Sequence, residues 1–300
     1  MRCILMTNKL RPLLATEVKN LKDLKLPMLT SVKLDGIYAL IVDGVIYSRS
    51  FKPIKNKHVQ KLFGNHDLNG LVGELVCGDV YAEDVFRQTT TATMAEYGVN
   101  DVKLYVFDDW SVGDKPYQER YQHYQRRIKA LNHDSVVALE HNMLHTIDEV
   151  ITALDKEQKR NGEGIILRLP SAKWKNGRST PKSQESVKLK FFEQQEYKIV
   201  DVVERMHNAN EARVNEMGYT ERSSHKDNMI PMNTFGAFVM ELQDGRNFNV
   251  GSGLGLTDAV RKEIWNNRDK YIGKIATVRQ MKVGSKNGIP RLPTFVGLRD

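Results

Sequence analysis

Apolar positions along the first 190 residues fall into short runs of strand character, each bounded by turn residues. Met28, Leu29 and Val32 make a β-leaning run that ends on Lys33, with Asp35-Gly36 directly after it. Ile37 to Val42 and Val45 to Arg49 are two further β-rich runs joined by Asp43-Gly44. That dipeptide tolerates the φ > 0 turn of a tight hairpin, so Lys33 is expected at a strand edge with a rigid hairpin behind it. Leu71 to Val76 and Leu104 to Asp108 read as strands interrupted or ended by an acid, Glu74 and Asp108. Val136 to Leu139 is another strand, and Gly162 to Arg168 sets a third acid, Glu163, into an apolar strand. In Ser186 to Lys190 apolar residues alternate with lysine, which places Lys188 and Lys190 on one strand face.

Helical spacing is rarer. A short helix is expected within Glu17 to Leu24, a charged helix over Glu119 to Leu131, and helical or irregular chain over 81–97. Ile147 to Lys159 is amphipathic, with Ile147, Val150, Ile151 and Leu154 on one face and Thr146 as its N-cap. Beyond Phe192 the pattern changes to short strands at Tyr197 to Val203, Gly236 to Leu242, Arg246 to Val250, Ile275 to Met281 and Thr294 to Leu298. One helix, Thr257 to Arg268, interrupts them, and Asp244-Gly245 supplies a second hairpin turn. Five strands and one helix in about a hundred residues is the pattern of a small OB-type barrel. The polar stretch Arg205 to Asn233 is expected to be a long surface loop. The fold class is α+β, with domains at 1–192 and 193–300 and a boundary near 191–195.

Charge narrows the partner. Lys and Arg number 45 against 37 Asp and Glu, a formal +8, with the basic residues spread through the chain. A folded basic surface suits a polyanion, nucleic acid before an acidic membrane. Lys52, Lys55, Lys57, His58 and Lys61 crowd one stretch, which as a solvated face also suits a phosphate backbone. Two cysteines, Cys3 and Cys77, make neither a disulfide framework nor a four-cysteine zinc site, which points to a reducing cytosol. Met1 to Met6 is too short an apolar run for a signal peptide, and no stretch reaches membrane-span length.

Several familiar motifs are missing. There is no G-x-x-x-x-G-K-[ST] loop. Gly251-Ser252-Gly253-Leu254-Gly255 lies between a strand and a helix, but no βαβ unit surrounds it, and Thr257 or Asp258 reads as a helix cap. His141 and His145 stand four apart without H-E-x-x-H and read as structural. What remains is an ordered set: Lys33-x-Asp35-Gly36, Arg49, Glu74, Phe107-Asp108, Glu163-Gly164 and Lys188-x-Lys190. It comprises a nucleophilic lysine, acids able to hold Mg²⁺, an aromatic ring for a base and cations for phosphates. These are the parts needed for attack at an α-phosphate with pyrophosphate leaving in line.

The order and spacing of this set resemble the covalent nucleotidyltransferase superfamily of ATP-dependent DNA ligases, RNA ligases and mRNA capping enzymes. Within it the chain is similar to the minimal DNA ligases of viruses and phages. Gly177-Arg178-Ser179-Thr180, Arg222-Ser223-Ser224-His225-Lys226 and the ending Arg291 to Asp300 are also ligase-like. The resemblance implies a nucleotidyltransferase domain of antiparallel sheets and helices followed by an OB-fold barrel. It implies that Lys33 forms lysyl-AMP, that Thr30, Ser31 and Val32 meet the adenine edge through backbone, that Phe107 stacks on it, and that Glu74 holds the ribose. Glu163 with Asp35 would serve Mg²⁺ (or Mn²⁺), Lys188 and Lys190 would hold the α-phosphate, and Arg299 with Asp300 would orient pyrophosphate. Arg49 would grip the 5′-phosphate of nicked double-stranded DNA, with Lys52 and Arg178 also on the nucleic acid.

One departure stands out: the family usually carries arginine where this chain has Tyr38. The implied enzyme is a monomeric ATP-dependent ligase in the cytoplasm, that of the host cell for a virus or phage. It would act in replication, repair and recombination. The alternatives are an RNA ligase, a GTP-using guanylyltransferase, or a non-catalytic OB-fold nucleic-acid binder. An NAD-dependent ligase is disfavoured by the few residues before Lys33 and the lack of zinc-finger cysteines.

Overall fold

A computed structural model describes residues 10–299 apart from 215–219, 224, 254 and 287. Asp300 and Cys3 therefore lie outside the described residues, as do Ser224 and Leu254 of the motifs above. The chain divides into two compact units, the first ending at Phe191 and the second starting at Phe192.

In the first unit the elements follow in the order β1 (Leu13–Leu14), β2 (Met28–Val32), β3 (Ile37–Val42), β4 (Val45–Ser48), α1 (Lys57–Phe63), β5 (Leu71–Cys77), α2 (Val85–Met94) and β6 (Val102–Asp109). They continue with α3 (Tyr117–Leu131), β7 (Val136–Ala138), β8 (Asn142–Leu144), α4 (Ile147–Lys159), β9 (Gly164–Arg168), β10 (Gly177–Arg178) and β11 (Ser186–Lys190). Three sheets result: one ordered β4-β3-β5-β6-β7, one ordered β11-β9-β2-β8, and a parallel pair of β1 with β10. The first turns on Asp43 and Gly44, both at positive φ (50° and 75°), as the Asp-Gly signal requires. Its core side packs Ile41, Ile46, Leu71 and Leu104 against Phe63 of α1 and Tyr124 and Ile128 of α3.

The second sheet packs Met28, Leu144, Ile165, Leu167 and Val187 against Val150 on the apolar face of α4. A reciprocal capping box starts that helix: Glu149 N–H donates to Thr146 Oγ1 (3.2 Å), and Thr146 N–H donates to Glu149 Oε2 (3.3 Å). Val150 is fully buried, which contributes about 1.5–3 kcal/mol for a side chain of its size.

The helix expected within Glu17 to Leu24 is not formed; only a 3₁₀ turn at Leu21–Asp23 appears. The backbone of Thr16 is already committed to β11, donating to Ser186 O (3.0 Å) and accepting from Lys188 N–H (2.8 Å). That holds the chain extended up to the point where a helix would begin.

The second unit runs β12 (Phe192–Asn208), β13 (Ala212–Val214), β14 (Thr220–Arg222), β15 (Met229–Glu241), β16 (Asn247–Val250), α5 (Asp258–Asn266), β17 (Ile275–Lys286) and β18 (Ile289–Leu298). Five of these strands form one antiparallel sheet ordered β16-β15-β12-β17-β18. Its core gathers Ile199, Phe235, Phe238, Met240, Val250, Ala276 and Val278 over Ile264 of α5. The stretch 205–233 is not the surface loop expected. β12 and β15 extend into it, pairing Met206 with Pro231 and Asn208 with Met229, and β13 and β14 form a hairpin within it. Backbone pairing, rather than apolar burial, makes these strands, so the residue pattern carries little sign of them.

Candidate nucleotide-transfer site

Strand register places the site residues on facing surfaces of the first unit. Ser31 pairs with Ile166 and Ile166 with Lys188; Leu29 pairs with Arg168 and Arg168 with Ser186. Side chains alternate across a strand, so Ser31, Ile166, Arg168, Ser186, Lys188 and Lys190 share one face, which Lys33 continues. The other sheet contributes Tyr38 and Glu74, directly opposite each other in the β3–β5 ladder. It also contributes Phe107, the extra residue of a bulge where Val72 pairs with Asp108 but Gly73 with Val106. These residues, with Val32, Leu34, Arg49, Leu139 and Arg178, line a cavity of about 200 Å³ whose remaining wall is Leu13 to Ala15.

Gly164 makes the chemistry possible. Its φ is +145°, and a Cβ there would stand 2.0 Å from Leu189 O, so β9 and β11 close up only on glycine. Lys33 N–H donates to Gly164 O (2.9 Å), which fixes the lysine beside the turn carrying Glu163. The Lys33 ammonium then donates to Glu163 Oε2, and Lys190 Nζ lies 2.7 Å from Glu163 Oε1. Glu163 is buried (side chain 3% exposed). Burial alone would raise its pKa, but Lys33 and Lys190 outweigh that and hold it below the usual carboxylate range. Lys188 has a different counter-ion, Glu17, at 3.2 Å.

Glu74 is half-buried on the cavity wall. Burial is the main influence on its carboxyl, pushing it up to about 8; Lys33 opposes this, and Glu163 and Asp35 reinforce it. Phe107 is packed by the Tyr38 ring (5.8 Å between centroids) and by the Arg168 guanidinium (4.9 Å). Arg178 lines the cavity and donates to Ala15 O (2.8 Å).

Asp108 does not behave as the acid of a metal site. It is wholly buried and bound by Arg120 (2.7 and 3.1 Å) and by Arg168 (3.2 Å), so its oxygens are committed to guanidinium groups. Among the described residues no group of three or more His, Cys, Asp or Glu side chains is arranged to hold a metal ion. His141 is structural: its ring nitrogens meet Tyr117 Oη (2.9 Å) and Tyr124 Oη (3.3 Å).

The structure brings together Ser31, Val32, Lys33, Arg49, Glu74, Phe107, Arg178, Lys188 and Lys190 around the cavity, with Glu163 between two of the lysines. Thr30 lies on the opposite face of β2, and Asp35 and Lys52 do not line the cavity. Arg299 belongs to the second unit, where it pairs with Glu196. Sequence reasoning missed Arg168 and Glu17. Arg168 was findable as the next same-face position after Gly164 and Ile166; nothing in the residues near Glu17 signals its pairing with Lys188.

Lys33 and Lys190 on the two oxygens of one buried carboxylate, with Lys188 beside them on a cavity that has an aromatic wall, are the parts of a nucleotidyltransferase. A family model for the ATP dependent DNA ligase domain matches residues 12–190, and one for the DNA ligase OB-like domain matches residues 231–299. The chain therefore belongs to the ATP-dependent DNA ligase family and is an enzyme of that class. Its α+β fold, a nucleotidyltransferase domain followed by an OB-like domain, is that of the family. A Chlorella virus DNA ligase-adenylate structure is 26% identical, with 96% of this chain and 99% of that one covered and a TM-score of 0.55. Two others share the fold. A Lig E DNA ligase is 20% identical (96% and 99% covered, TM-score 0.68), and the bacteriophage T7 ATP-dependent DNA ligase with ATP is 14% identical (99% and 100%, 0.51). No curated protein matches the chain.

Proposed function

We propose that this ligase seals nicks in duplex DNA through a lysyl-AMP on Lys33 and an adenylated 5′ end. The observation that carries the reading is the placement of Lys33 and Lys190 on the two oxygens of buried Glu163. An ammonium cannot attack phosphorus, so Lys33 first gives up a proton to water. Its Nζ then forms a bond to the α-phosphorus of ATP as the bond to pyrophosphate breaks. Lys188 and Lys190, on the same strand face, take the charge that develops on the α-phosphate oxygens. Phe107 and Glu74 hold the nucleoside. The 5′-phosphate oxygen of the nick displaces Lys33, and the 3′-hydroxyl then displaces AMP, losing its proton as the 3′–5′ phosphodiester forms.

Arg49 and Arg178 on the cavity wall, with Lys52 nearby in the chain, bind the nick phosphates, and Arg299 with Asp300 serves pyrophosphate. Mg²⁺ would be held mainly by the substrate phosphates, with Asp35 and the Glu163 oxygen that Lys33 releases on losing its proton as the protein donors, the usual mode for an ion that keeps few protein ligands. Mg²⁺ so held supplies neutralisation of phosphate charge, and Mn²⁺ fits the same donors. The protein acts as a cytoplasmic monomer in DNA replication, repair and recombination, and its likeness to the Chlorella virus ligase supports a viral or phage source.

Incubation with α-labelled ATP and Mg²⁺, followed by a denaturing gel, tests this. Wild type should retain label and Lys33→Ala should not. Label from GTP and none from ATP would instead support a guanylyltransferase.

A further inference from the structure

The three lysines of the site are neutralised in two different ways. Lys33 and Lys190 share Glu163, which is 3% exposed and clamped by both. Lys188 is matched by Glu17, whose side chain is 57% exposed while that of Lys188 is 24% exposed. Glu17 follows Leu13 to Ala15, which form one wall of the cavity. The backbone just before it is pinned: Thr16 N–H donates to Ser186 O (3.0 Å), Lys188 N–H donates to Thr16 O (2.8 Å), and Arg178 donates to Ala15 O (2.8 Å). The Cα of Glu17 is thus fixed beside Lys188. Its side chain, mostly in solvent, is free to leave.

We propose that Glu17 is an exchangeable counter-ion that holds Lys188 until a phosphate of the incoming nucleoside triphosphate displaces it. The proposal rests on the nucleotide reading above and adds a residue that sets the affinity. Glu163 cannot make this exchange, because two lysines and burial hold it. Glu17 can, because moving it into water costs little: exposed ion pairs are worth about 0.2–1 kcal/mol. A carboxylate fixed next to the phosphate position has two effects, both unfavourable to the nucleotide. It competes for the Lys188 ammonium, and after release it remains close enough to repel the triphosphate through solvent. Glu17 therefore weakens nucleotide binding, and its presence eases departure of the anionic products.

The test is the affinity of the full chain for α,β-methylene ATP, which binds without transferring AMP, in wild type and Glu17→Gln. The variant should bind more tightly at low ionic strength, by about 1.4- to 5-fold, the range set by an exposed pair. The difference should shrink as salt rises towards a Debye length of about 8 Å. In a Lys188→Met background the same substitution should have a much smaller effect, since the competition is for that ammonium. Equal or weaker binding by Glu17→Gln would overturn the exchange and leave the ligase reading standing. So would an equal gain in the Lys188→Met background, which would assign the effect to general field rather than to this pair. A wild type that fails to bind the analogue would overturn the nucleotide reading, and the exchange with it.

Discussion

Replacing Asp108 by alanine is the sharpest structural test of how the nucleotide cavity is supported. Asp108 has no exposed surface, and the Arg120 and Arg168 side chains are 1% and 5% exposed. The carboxylate accepts from Arg120 Nε (2.7 Å) and Nη2 (3.1 Å), from Arg168 Nη1 (3.2 Å) and from Asp109 N–H (2.8 Å). Its removal leaves two buried guanidinium groups without their anion. Arg120 keeps the Lys115 and Ala172 carbonyls (2.7 and 2.9 Å), so it stays partly satisfied. Breaking one buried pair in this way costs about 3–5 kcal/mol. For a unit of this size each kcal/mol moves Tm by about 2–4 °C, so the N-terminal transition should fall by about 6–20 °C in calorimetry. Arg168 also packs on the Phe107 ring, so α,β-methylene ATP should bind more weakly even well below Tm. A loss of under about 1 kcal/mol in urea titration would refute the reasoning, because it would mean the guanidinium charges are solvated elsewhere.

Other expectations follow from the same geometry. Gly164→Ala sets a Cβ against Leu189 O and should destabilise by about 2–4 kcal/mol, since overpacking and left-handed strain add. Adenylylation should be lost with it even where the protein remains folded, and a folded variant of normal activity would contradict the placement of Glu163. His141 is kept neutral by burial, with Arg168 adding to the effect, and its pKa is pushed down to about 3. The unfolded chain takes up a proton near pH 6.5 that the folded one refuses, so stability falls as pH drops from 6.5 towards 3. The slope is at most about 1.4 kcal/mol per pH unit. Tm of His141→Gln should vary less than wild type between pH 6.5 and 4.5, and equal slopes would rule out this histidine as the cause. Nick affinity should fall steeply between about 50 and 200 mM salt, because phosphate contacts release counter-ions; a flat dependence would count against a phosphate-reading surface.

The local signals in the sequence were reliable where one turn or one alternation decides the outcome. Asp43-Gly44 announced its hairpin, Thr146 its helix start, and Lys188-x-Lys190 its shared face. Lys33, Glu74, Phe107 and Glu163 were legible because each is a polar or aromatic residue set where an apolar strand should continue. Asp108 looked the same, yet its role depends on Arg120 and Arg168, 12 and 60 residues away, and no local pattern encodes that meeting. The β12–β15 extension was hidden for another reason. Its residues are mostly exposed, so strand pairing there leaves no apolar period to read. The pairing of Glu17 with Lys188 follows from Thr16 joining β11, again a long-range event.

The central claim is that Lys33 carries AMP to a nick, and a pulse-chase tests it most directly. Wild-type protein is labelled with α-labelled ATP, freed of nucleotide, mapped by proteolysis and mass spectrometry, and mixed with nicked duplex. The account predicts an AMP adduct on the peptide containing Lys33, loss of that label on adding nicked DNA, and a sealed strand. An adduct on another residue, or label on Lys33 that nicked DNA does not remove, would contradict it.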